Sequence, residues 1–259
     1  MRRAAPAFVA VAVLLSGCAA PAPGVATTTT DTLAGTVTVS AAASLTDTFG
    51  TIADAFTTEH PDVTVTFNFG GSSALAAQIV EGAPVDVFAA ASAATMTTVV
   101  EAGLTEGEPT AFATNTLEIA VPPGNPGGVA GLADFTRPEL SIALCAAEVP
   151  CGAAAMAAFA AAGIAPEPDT LEQDVKAVLT KVELGEVDAG LVYATDVRAA
   201  GDRVDGIEFA GAAAAVSVYP IARLAASTRN AAATAFVAYV LSPAGRKILD
   251  DAGFGAPQQ

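Results

Sequence analysis

Residues 36–40 (TVTVS) alternate apolar and polar positions, the period-two pattern of a half-buried strand. Three alanines follow. Ser44 then stands where a helix N-cap belongs, with Asp47 three positions on as an acidic partner. Leu45, Phe49, Ile52 and Phe56 recur at helical spacing and define one apolar face, and His60-Pro61-Asp62 breaks the pattern. The unit repeats. Val63, Val65, Phe67 and Phe69 alternate along a second strand, and Gly70-Gly71-Ser72-Ser73 reads as a tight turn. Leu75 and Ile79 mark a helix that Gly82 and Pro84 stop. The same signals predict strands over 85–89, 117–121, 140–144 and 189–194. They predict an Ala-rich helix over 152–162 closed by Gly163. An amphipathic helix over 174–184, carried by Val175, Val178, Leu179 and Val182, closes at Gly185. Strands alternating with helices imply an α/β fold with largely parallel sheets. Two lobes suit the length, with crossings expected near the turn cluster at 122–128 (PPGNPGG) and near Tyr219-Pro220-Ile221. The expected division is 36–117 plus 222–259 for one lobe and 118–221 for the other.

The N-terminus adds a compartment. Arg2 and Arg3 precede an apolar run over 4–15. Such a run is too short for a bilayer core, which needs about 20 residues, and has the length of a signal-peptide core. It ends in Leu15-Ser16-Gly17-Cys18, which resembles the lipobox of bacterial lipoproteins. Residues 1–17 are therefore expected to be a signal peptide, with Cys18 as the lipidated first residue of an exported protein anchored at the membrane. Residues 19–35 are small, polar and Pro-containing and read as a flexible tether. Lipidation of Cys18 would leave Cys145 and Cys151 as a pair. Export favours a disulfide between them, and two free buried thiols are the alternative.

Charge narrows the partners. Lys and Arg number 11 against 27 Asp and Glu, a net charge of −16, which argues against nucleic acid and against adsorption on an anionic membrane. It does not exclude a small anion, because a pocket of amides, hydroxyls and helix ends can be locally positive inside an acidic body. Catalytic parts are sparse. The single His, His60, falls in a turn, and no G-x-S-x-G, C-x-x-C or Walker lysine motif occurs, so neither an enzyme nor a resident cofactor is expected. What stands out is a set of helix starts after strands: at Ser44, at Ser72 and Ser73, at Cys151-Gly152 and at Val175. Taken singly, each Ser is an ordinary N-cap. Together they can build an anion site without a cation.

These residues also carry a resemblance. Residues 39–47 (VSAAASLTD), 69–75 (FGGSSAL) with 78–91 (QIVEGAPVDVFAAA), 149–152 (VPCG), 172–179 (EQDVKAVL) and 190–196 (GLVYATD) occur in the order seen in periplasmic molybdate-binding proteins, the solute receptors of molybdate ABC transporters. The resemblance implies a two-lobed type II periplasmic-binding-protein fold that closes on its ligand. It implies that Ser44 and Ser72 offer hydroxyls and backbone N–H groups, Cys151 and Val175 backbone N–H groups, and Tyr193 its phenol. It leaves open whether Ser72 or Ser73 supplies the second hydroxyl. Molybdate or tungstate is then the expected ligand, an ABC permease the expected partner, and a monomer the expected state. The alternatives are a receptor for sulfate, phosphate or another oxyanion, an extracytoplasmic hydrolase, and a structural lipoprotein without a small ligand.

Overall fold

A computed structural model describes residues 33–257. The expected signal peptide, Cys18 and most of the tether lie outside these residues. In chain order the elements are β1 (Gly35–Ala42), α1 (Thr46–Glu59), β2 (Val63–Gly70), α2 (Ser72–Val80), β3 (Val87–Ala89), α3 (Ala93–Glu101), β4 (Thr110–Asn115), β5 (Leu117–Val121), β6 (Ile142–Cys145), α4 (Pro150–Ala162), β7 (Thr170–Glu172), α5 (Val175–Glu183), β8 (Ala189–Tyr193), α6 (Ala194–Ala200), β9 (Asp205–Ile207), β10 (Ser217–Arg223), α7 (Asn230–Leu241) and α8 (Pro243–Asp251).

Two five-stranded sheets result, ordered β2-β1-β3-β10-β4 and β7-β6-β8-β5-β9. In each, four strands point the same way and one inner strand, β10 or β5, runs against its two neighbours. Helices flank both sheets, and the expected α/β architecture stands. The lobe boundaries move. Residue Thr116 alone separates β4 of the first sheet from β5 of the second, and the return crossing falls between Ile207 and Ser217. Leu117 thus belongs to the second lobe and residues 217–221 to the first. The PPGNPGG turns lie within the second lobe rather than at its border, and Tyr219-Pro220-Ile221 is the middle of β10. Pro220 sits there because the β10–β4 register shifts between Tyr219 and Pro220, so its missing N–H costs no ladder bond.

Other boundaries shift for local reasons. Residues 33–35, expected to belong to a tether, are part of the fold: Leu33 packs on the first core and Gly35 opens β1. The third strand begins at Val87, because the Asp86 carboxylate turns back to accept from the Thr38 N–H at 2.8 Å. The Ala-rich helix starts two residues early, at Pro150, whose fixed φ suits a first helical position. Ser44 is no N-cap: residues Ala43–Leu45 form a 3-10 turn ahead of α1, and no side chain caps that helix. Each lobe buries its own core. Phe49, Phe56 and Phe67 pack edge to face on Phe236 in the first, and Phe135 packs at a tilt on Phe159 in the second.

Candidate functional site

The carboxyl ends of β1, β2, β6 and β7 lead into the Ala43–Leu45 turn, α2, α4 and α5. That is where α/β sheets place ligands. A cavity of about 20 Å³ opens there, lined by Ser44, Gly71, Ser72, Cys151, Val175 and Tyr193 among others. All five residues singled out by sequence line it, two from the first lobe and three from the second. The volume is far below the roughly 300 Å³ at which pockets for drug-sized ligands begin, so the occupant is small. Among the described residues no Lys, Arg or His lines the cavity. Its single carboxylate, Asp174, is committed to capping α5 by accepting from the Ala177 N–H at 3.0 Å.

The donors are set by helix geometry. Ser72 and Val175 are first residues of α2 and α5, and Cys151 is the second of α4. N–H groups in a first turn have no intrahelical carbonyl to bond, and they carry the positive end of the helix dipole. Cys151 is held from behind. A disulfide joins it to Cys145, and Gly152 lies so close to the Ala146 carbonyl that a side chain there would overlap it. Ser72 Oγ accepts from the Ala91 N–H at 3.0 Å, which leaves its own proton free. Ser73 is turned elsewhere: its hydroxyl donates to the Glu148 carbonyl of the other lobe at 2.7 Å. That resolves which of the two serines faces the cavity. Tyr193 is fully buried, and burial pushes its phenol up to about 12 against hydrogen bonding that opposes the shift, so it keeps a proton to donate. Its hydroxyl lies 3.2 Å from Ser217 Oγ.

The lobes meet across this cavity. Gly71 approaches the Gln173 backbone, Ser73 bonds Glu148, and Lys176 Nζ of α5 lies 2.8 Å from Asp47 Oδ2 of α1. Lys176 also stands 3.3 Å from Asp196 Oδ1 at the start of α6. Sequence reading missed these supports, and it missed a buried chain of polar groups behind the cavity. Ser44 Oγ lies 2.9 Å from Tyr219 Oη, and Asn115 Nδ2 lies 3.5 Å from Tyr219 Oη and 2.8 Å from Thr195 Oγ1. These partners are up to 175 residues apart in the chain, beyond the reach of any local pattern. Among the described residues no cluster of His, Cys, Asp and Glu could hold a metal ion, and no helix is long and apolar enough to cross a membrane.

Two α/β lobes that clasp a small cavity of uncharged donors define a bilobal solute receptor. The chain belongs to the bacterial extracellular solute-binding protein family, which it matches over residues 37–255. It is 45% identical over 221 residues to the molybdate-binding protein ModA of Mycobacterium tuberculosis, covering 85% of each chain. Its fold is similar to that of the periplasmic molybdate-binding protein of Azotobacter vinelandii, with TM-score 0.75 and 21% identity over 86% of this chain and all of the other. It is similar too to the sulfate-binding protein SubI of M. tuberculosis, with TM-score 0.75 and 19% identity over 85% and 86%. Those two likenesses speak for the fold alone.

Proposed function

We propose that this chain captures molybdate, and tungstate equally well, outside the cytoplasm and hands it to the permease of an ABC importer. The reading is carried by one observation: donors from both lobes converge on one small cavity that no cationic side chain among the described residues lines. The molybdate-binding relative at 45% identity supports it. In this reading Ser44 and Ser72 bond the anion from the first lobe, and the Cys151 and Val175 amides and the Tyr193 phenol bond it from the second. A tetrahedral dianion sheds its water on entry, and each hydrogen bond to an ion returns about 1.5–3 kcal/mol. Neutral donors hold the charge without trapping it as an ion pair. Fixed N–H positions select by bond length, so the smaller sulfate fits worse, while tungstate fits as molybdate does. Because the ligand touches both lobes, it stabilises their contact, and the permease reads that state. The protein carries no cofactor and catalyses no reaction in this scheme. It works as a monomer held at the membrane by lipid on Cys18.

Thermal melting tests the reading. Ligand at a hundred times its Kd stabilises by about 2.7 kcal/mol, or roughly 5–10 °C for a chain of this size. Molybdate and tungstate are expected to raise Tm by that amount, and sulfate or phosphate at equal concentration by far less. An equal shift with sulfate contradicts the size selection, and no shift with any oxyanion contradicts the binding.

A further inference from the structure

Tyr219 and Asn115 lie behind the cavity wall and are fully or nearly fully buried. The direction of each hydrogen bond in their chain can be assigned from chemistry. The Thr116 backbone N–H lies 3.0 Å from one end of the Asn115 amide. A backbone N–H only donates, so that end is the carbonyl oxygen. The NH2 end therefore faces Thr195 Oγ1 at 2.8 Å and Tyr219 Oη at 3.5 Å, and it can only donate to both. Tyr219 Oη thus receives a proton from Asn115. For its own proton Ser44 Oγ, at 2.9 Å, is the short partner; the neighbouring Tyr193 hydroxyl also bonds Tyr219 but has Ser217 Oγ at 3.2 Å. Burial holds the phenol well above its usual range, so that proton is present at any physiological pH. Ser44 Oγ, receiving it, must send its own hydrogen elsewhere, and Ser44 lines the cavity.

We propose that Tyr219, with Asn115 behind it, is a positioning residue that forces the Ser44 hydroxyl to act as a donor toward the bound oxyanion. This deepens the proposed function and rests on it. An oxyanion without protons only accepts, so a wall of freely rotating hydroxyls would meet it with lone pairs part of the time. Here the direction is set before the ion arrives. The assignment also explains a tyrosine hydroxyl buried beside an anion site without being placed to touch the anion.

A double-mutant cycle on the full chain, read by molybdate calorimetry, tests it. Tyr219→Phe keeps the ring and its packing on Phe112 and Phe254. It is expected to weaken molybdate about tenfold, as one misdirected charge-assisted bond would. In a Ser44→Ala background, the same change should cost less than twofold, because no hydroxyl remains to direct. Equal losses in both backgrounds, or unchanged affinity in the first, overturn the relay. Asn115→Asp gives a second reading in the same two backgrounds. A carboxylate takes the Tyr219 proton and reverses the chain, so its loss should exceed that in the Ser44→Ala background. A loss equal in both would be charge repulsion alone and would count against the relay. Failure of the unaltered protein to bind molybdate would instead overturn the function on which the relay rests.

Discussion

Gly71→Ala is expected to lower molybdate affinity at least a hundredfold while leaving each lobe folded. The φ of −61° and ψ of 125° at Gly71 suit alanine, so nothing local resists the change. The obstacle is the other lobe. A Cβ there would overlap the Gln173 carbonyl oxygen and sit 3.6 Å from Val149 Cγ1. The first of these is backbone at the entry to α5 and cannot swing aside. The lobes must part, and Ser44 and Ser72 draw away from Cys151, Val175 and Tyr193. Losing two bonds to an ion, at about 1.5–3 kcal/mol each, accounts for a hundredfold or more. Calorimetry gives the affinity, and small-angle scattering should find that molybdate no longer compacts the variant. Affinity equal to that of the unaltered protein would mean that the cavity works without the contact between lobes.

Lys176→Met is expected to cost about 3–5 kcal/mol of stability at neutral pH, the penalty for orphaning a buried charge. Asp196 is 1% exposed; its Oδ2 accepts from the Tyr193 N–H at 3.2 Å, and its Oδ1 faces the Lys176 ammonium. Burial pushes the Asp196 carboxyl up to about 6, and Lys176 opposes the shift. For Lys176, burial alone would lower the ammonium, but Asp196 and Asp47 outweigh it and raise it. The sign for Asp196 follows from its raised value. The folded state binds this proton more tightly than the unfolded state, whose carboxyl titrates near its ordinary value of 3.8. Its contribution to stability therefore falls as pH rises from about 4 to about 6 and is level above that. Without Lys176 the native value climbs further, so the fall should continue past pH 6. Melting curves of the variant should approach those of the unaltered protein at pH 5 and diverge at pH 8. Adding Asp196→Asn, which keeps an acceptor for the Tyr193 N–H, should recover most of the loss. A Lys176→Met variant that melts normally at pH 8 would show that the pair carries no such weight.

Much of this was legible because the site is built from local features. A strand that ends in small residues and a helix that begins with Ser, Cys or Val leave their mark within ten positions. Four such marks, Ser44, Ser72, Cys151 and Val175, come together in the cavity wall; Tyr193, at the end of β8, was reached only through the family resemblance. What stayed hidden is non-local. Nothing near Ser44 tells that its hydroxyl meets Tyr219, and the expected N-cap gave way to a 3-10 turn that serves this contact. β10 was not legible either. Its sequence, SVYPIAR, holds a proline that normally speaks against an inner strand. Only pairing with β3 and β4, both more than a hundred residues earlier, makes it one and carries the chain back between lobes. The lobe boundary was misplaced for the same reason.

The central claim is that neutral donors from two lobes hold one tetrahedral oxyanion and choose it by size. Calorimetric titration of the unaltered protein with molybdate, in buffer containing a thousandfold excess of sulfate over protein, tests it most directly. The account predicts saturation at one molybdate per chain, with an affinity little changed by the sulfate. Loss of the molybdate heat in sulfate, or no heat in its absence, would contradict it.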